Sequence, residues 1–125
     1  MNKYEALNEF WNSFGVPAYE MYSVPTGKDK PAFPYIVFTA DVDNISEPVS
    51  LFANVYTRSN TWLGCNAIAE RIAERVGLGG CCVPIEGGGM WIKRGNGFMS
   101  NLGDDEDDLI KRKYIHIEVE FITAT

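Results

Sequence analysis

The chain holds one histidine and three cysteines in 125 residues. A structural zinc site takes four well-spaced ligands, so this supply argues against one. An odd cysteine count also argues against a disulfide framework and predicts reduced thiols in a cytoplasm-like compartment. Positive charge is scarce as well. Eleven Lys and Arg face 17 Asp and Glu, for a net charge of −6 at pH 7. Phosphate affinity comes mainly from Lys and Arg, so a general DNA- or RNA-binding role is disfavoured. No apolar run approaches the ~20 residues that span a bilayer. The opening residues Met1, Asn2, Lys3, Tyr4 and Glu5 lack the basic-then-apolar order of a secretion signal. No internal repeat or low-complexity linker interrupts the chain.

Apolar residues are plentiful. Hydrophobic side chains make up 46% and aromatic ones 13%, which argues against disorder. The length predicts one domain over residues 1–125, large enough to bury a core.

Periodicity predicts the elements. Tyr4, Leu7, Trp11 and Phe14, with Phe10 beside them, mark a short amphipathic helix over 3–14, stopped by Gly15 and Pro17. Residues 18–24 read as a strand and 25–31 as an exposed loop. A strand over 35–43 follows, apolar on both faces at its start, as a covered central strand would be. A turn at 44–48 leads into a strand over 49–58, close enough to pair antiparallel. The clearest helix covers 60–76. Trp62, Cys65, Ile68, Ala69, Ile72, Ala73 and Val76 form its stripe, Ser59 or Asn60 caps it, and Gly77 ends it. Segments 79–86 and 90–93 flank Gly87, Gly88 and Gly89 as a hairpin, and 99–102 reads as another short strand. In the last strand, 112–123, Ile115, Ile117, Val119 and Phe121 alternate with Tyr114, His116, Glu118 and Glu120. The sum is an α+β fold: an antiparallel or mixed β-sheet packed against two main helices, with a Gly-rich β-hairpin.

Few residues suggest chemistry. The glycine clusters at 77–80 and 87–89 follow a helix and join two strands, whereas a phosphate loop joins a strand to a helix N-terminus, so turn chemistry explains them better. Cys81 and Cys82 are adjacent, so in a strand they point to opposite faces and cannot readily chelate one ion. Cys65 reads as a small core residue, and nothing near Cys81 or Cys82 in sequence would activate a thiol. His116 shares a strand face with Glu118 and Glu120, which makes a carboxylate–His pair geometrically available, but a solvated face explains all three more simply. No catalytic residue, metal site or cofactor is therefore expected.

Two features stand out. Asp104, Asp105, Glu106, Asp107 and Asp108 carry five of the six net negative charges. Their consecutive spacing does not fit a calcium loop. They form either a solvated loop or an acidic patch facing a polyanion that must pass without sticking. Met90, Trp91, Phe98 and Met99 sit in the Gly-rich hairpin region, far from the helices. They are candidates for a subunit or partner interface, against burial by the small C-terminal sheet itself.

The segment Phe33, Pro34, Tyr35, Ile36, Val37, Phe38, Thr39 combines with a strand over 51–58 that ends Tyr56, Thr57, Arg58, Ser59, Asn60. A helix carrying Ala67, Ile68, Ala69, Glu70, Arg71, Ile72, Ala73 and a late strand over 114–122 complete the set. Together, over roughly residues 3–122, they resemble the small tail-terminator (tail-completion) proteins of long-tailed bacteriophages and related tail-like particles. The resemblance implies an α+β structural protein, not an enzyme, with no cofactor. It implies a homo-oligomer, a hexameric ring that stops tail-tube growth and meets neck or connector proteins. It also implies a place in the virion tail or neck, after assembly in the bacterial host cytoplasm, and no membrane contact. DNA would pass through such a ring without specific binding. Asp104, Asp105, Glu106, Asp107, Asp108, Glu118 and Glu120 are candidates to line its lumen. The competing readings are another neck or head–tail joining subunit, a tail-tube-like subunit, a small enzyme or ligand-binding domain built on His116, and an acidic DNA-mimic regulator.

Overall fold

The first helix, α1, spans Lys3–Trp11 and starts on a capping box. The Asn2 side chain accepts from Glu5 N at 2.9 Å, and Glu5 Oε1 accepts from Asn2 N at 3.1 Å. A 3-10 turn over Asn12–Phe14 extends it, and Gly15 ends it at φ +85°. The buried face is Ala6, Leu7, Phe10 and Trp11. Tyr4, expected on the same stripe, is instead exposed, and its hydroxyl donates to Asp43. The computed structural model describes residues 1–43 and 46–123, so part of the expected 44–48 turn lies outside the described residues.

Among the described residues six strands form one sheet: β1 Ala18–Glu20, β2 Tyr35–Phe38, β3 Val49–Arg58, β4 Cys81–Ile85, β5 Gly88–Gly103 and β6 Ile110–Thr123. Their spatial order is β1-β2-β3-β6-β5-β4. Only β1 and β2 pair parallel, so the sheet is mixed and the fold is α+β.

Strand limits have local causes. β1 has three residues rather than seven because the chain turns into a 3-10 segment at Met21–Ser23. The Asn12 amide serves β1: its Oδ1 accepts from Ala18 N at 3.0 Å, and its Nδ2 donates to Ala18 O at 3.2 Å. β2 stops at Phe38, well short of the expected residue 43. Thr39 Oγ1 accepts from Phe52 N at 3.0 Å, so a hydroxyl takes the place of a backbone carbonyl and the chain peels away.

The second helix, α2, covers Leu63–Val76. It begins three residues later than expected. Ser59 Oγ accepts from Thr61 N at 3.3 Å, which holds a bend before the helix, and Trp62 stands at the N-cap with no side-chain bond. Cys65, Ile68, Ala69, Ile72 and Val76 are buried, as the stripe predicts.

Both helices pack on one side of the sheet. Ile36, Phe38, Leu51, Ala53, Val55, Ile92, Ile115, Ile117 and Val119 join the helix residues in one core. Each of the larger of these side chains stabilises by about 1.5–3 kcal/mol over leaving it exposed. Trp11 anchors the centre, stacked on Phe38 with ring centroids 6.1 Å apart.

The C-terminal half is one long hairpin rather than several short strands. Segments 90–93 and 99–102 belong to the same 16-residue β5. Glu86 and Gly87 form the β4–β5 turn, and Gly88 and Gly89 already lie in the strand. Between the pairs Arg94↔Ile117 and Met99↔Ile115 the register jumps: five steps along β5 match two along β6. This bulge returns Met99 to the helix side, which strict alternation from Arg94 would deny it.

Candidate functional site

The side of the sheet opposite the helices carries no helix among the described residues. Alternation on β3 sends Leu51, Ala53, Val55 and Thr57 inward, and leaves Phe52, Asn54 and Tyr56 on the open side. The register adds Tyr114 across from Asn54, His116 across from Phe52 and Tyr35 across from Tyr56. The result is a band of half-buried rings over several strands. Tyr35 stacks on Tyr56 at 5.1 Å and meets Tyr19 at 6.4 Å. Phe52 stacks on Tyr114 at 5.4 Å and on His116 at 4.8 Å. Cross-strand aromatic pairs hold a sheet together, and Tyr, Trp and Arg are also the residues that dominate interfaces.

His116 is fixed within this band. Its Nδ1 lies 2.9 Å from the Asn96 carbonyl oxygen, so Nδ1 carries the hydrogen and donates. No carboxylate bonds it among the described residues. Glu120 instead pairs with Lys93 at 3.1 Å. The carboxylate–His pair available on paper is therefore not formed. Gly95 packs directly on the His116 ring.

The acidic run forms the β5–β6 loop, and it is ordered by its own carboxylates. Asp104 Oδ1 accepts from Glu106 N at 2.8 Å and from Asp107 N at 3.1 Å. Asp107 Oδ1 accepts from Leu109 N at 2.9 Å, and its Oδ2 meets Arg58 Nε at 3.0 Å. The Leu109 N–H, then the Arg58 guanidinium, hold the Asp107 carboxyl below the ordinary aspartate range. Asp105, Glu106 and Asp108 are exposed. Glu118 and Glu120 lie on the open side of β6, away from the helices.

The four apolar hairpin residues do not form one patch. Met90 is fully buried and belongs to the core, which corrects its expected place at an interface. It pairs with Phe121 and Val83 on the helix-covered side. Phe98 and Met99 also pack against the core, and the Arg94 guanidinium lies 4.7 Å from the Phe98 ring centroid. Trp91 alone falls on the open side, opposite Glu120 and Cys82. Ordinary alternation separates Met90 from Trp91, and the bulge decides only that Met99 returns to the core.

Cys65, Cys81 and Cys82 are all free. Burial pushes the Cys65 and Cys81 thiols up. No group of three or more His, Cys, Asp or Glu among the described residues is placed to hold a metal ion. A depression of about 350 Å³ opens beside the start of α2, with Arg58 and Arg71 as its ionisable side chains. Arg71 is engaged there, donating to the Phe14 carbonyl. No described helix is long and apolar enough to cross a membrane.

No family model matches the chain, and no curated protein matches it. Among solved structures, the chain is similar to one chain of "Virion of native gene transfer agent (GTA) particle", with a TM-score of 0.65 and 16% identity over 96% of this chain and 91% of that chain. At that identity, what the two chains share is the fold.

Proposed function

We propose that the chain is a structural subunit of a phage-like particle, and within it a tail terminator: one domain over residues 1–125 that closes into a ring, caps the tail tube and meets the neck. The observation that carries this reading is the fold shared, over nearly the whole of both chains, with a component of a gene transfer agent virion. The order and length of the elements agree with it. A ring needs head-to-tail contacts between two different surfaces of one molecule. The sheet offers two different edges, β1 on one side and β4 with the uncovered end of β5 on the other. In this reading the subunit is not an enzyme and holds no cofactor. It assembles in the host cytoplasm and stays in the tail or neck. Asp105, Glu106 and Asp108, with Glu118 and Glu120, turn to the lumen and let DNA pass unbound. Asp104 and Asp107 hold the loop that presents them.

Electron microscopy of particles made without this protein tests the reading. Tails of uncontrolled length are the expected result. Tails of normal length that fail to join heads would move the subunit to the neck. Normal, fully joined particles would remove it from the tail altogether.

A further inference from the structure

The open side of the sheet has the make-up of an interface with a copy of itself. Its centre is aromatic, built on Phe52, Tyr56, Tyr114 and the ring of His116. Its other charges are accounted for: Lys93, directly across from Glu118, is committed to Glu120 at 3.1 Å, and Arg58 to Asp107 at 3.0 Å. Two charges are left without an ion pair among the described residues, Arg112 and Glu118. Arg112 Nε is shielded from solvent and has no hydrogen-bond partner among the described residues, which leaves contact with an incoming carboxylate to its terminal Nη groups. Both residues stand on β6, on the same face, six residues apart, which is roughly 20 Å of strand. Midway between them lie Tyr114 and His116.

We propose that two free copies of the chain pair face to face through this surface, on a two-fold axis that crosses β6 between Tyr114 and His116. That axis reverses the strand, so Arg112 of each copy meets Glu118 of the other and the aromatic centres meet each other. Reciprocal contacts of this kind are what an isologous interface requires. β3, β6 and β5, about 4.8 Å apart and roughly 20 Å long where they cross the surface, with the shorter β1, β2 and β4 beside them, cover about 480 Å² per copy, or about 950 Å² in the pair, just below the range of stable specific interfaces. The pair is therefore weak and concentration-dependent. It does not rest on the tail reading. In a ring whose lumen is lined by Glu118 and Glu120 the same surface must be uncovered, so the pair is a state of the free subunit that parts on assembly.

Charge reversal tests it on the full chain by sedimentation equilibrium. The wild type should move towards twice the monomer mass as concentration rises. R112E and E118R should each stay monomeric, with self-association weakened by about tenfold or more. An equimolar mixture of the two should pair, because every charge then meets its opposite, and the double variant R112E/E118R should pair with itself. Circular dichroism checks that each variant is folded. If R112E does not fold, E118R and Y114K, which sets an amine against the His116 ring of the other copy in place of a ring-to-ring contact, must both lose pairing. A wild type that stays monomeric, a mixture that stays monomeric while both variants are folded, or a six-copy mass untouched by E118R overturns the pairing. The last of these leaves the ring reading standing.

Discussion

Arg94 closes the C-terminus of α2 from across the fold: its Nε donates to the Gly77 carbonyl at 3.0 Å, and its Nη2 to the Ala73 carbonyl at 3.3 Å. The last carbonyls of a helix lack intrahelical partners and carry partial negative charge, so a guanidinium there satisfies both needs. β5 delivers the side chain just before its bulge. Arg94→Ala should lower stability by about 1.5–3 kcal/mol, because it removes charged hydrogen bonds from half-buried acceptors. Urea unfolding should show a lower midpoint at an unchanged slope.

Gly95 and His116 are in direct contact. A Cβ at position 95 would sit 2.5 Å from the ring atoms Cγ and Nδ1 of His116, closer than atoms can approach. The ring is held by the Phe52 stack and the Asn96 carbonyl, so it cannot retreat freely. Gly95→Ala should therefore cost about 1–3 kcal/mol from overpacking. His116→Ala should relieve much of that cost, so the double variant should be more stable than the sum of the singles predicts. Additive losses would show that the contact is not the cause.

Asp107 makes stability depend on acid pH. Its folded carboxyl titrates below its unfolded value, through the Leu109 N–H and Arg58. A depressed carboxylate contributes stability that is complete above the unfolded value near 4 and lost as pH falls through the folded one. Asp107→Asn should remove this part of the acid dependence and leave the curve above about pH 5 parallel to wild type. Thermal unfolding between about pH 2 and 7 measures it.

The three thiols should react in the order of their access. Cys82 is exposed, Cys81 is half-buried and Cys65 is buried. Burial also pushes the Cys81 and Cys65 thiols up, which reduces the reactive thiolate. Alkylation of the native protein near neutral pH, followed by peptide mass spectrometry, should label Cys82 first and Cys81 more slowly. Cys65 should be labelled only when the protein unfolds. Early labelling of Cys65 would mean that α2 opens from β3 well below the global unfolding energy.

Much of the fold was legible in the chain itself. Alternation along 49–58 and 112–123 set which residues face inward, and the stripe from Cys65 to Val76 set the buried side of α2. These patterns are local, because a side chain's direction follows from its position in a 2.0 or 3.6 period. The charge distribution was equally plain, with the acidic run carrying most of the net charge. What local pattern could not show is who pairs with whom. Whether β1 runs parallel to β2, where Thr39 peels the chain away, and how the β5 bulge returns Met99 to the core depend on contacts between distant segments. The same holds for the candidate site. The acids at 104–108 were visible as charge. That Asp104 and Asp107 are spent on ordering the loop, with Arg58 recruited from a strand 49 residues away, was not. The open aromatic side of the sheet was written as unremarkable outward positions on several strands. Only strand order, and two helices covering the same opposite side, gathered them into one surface.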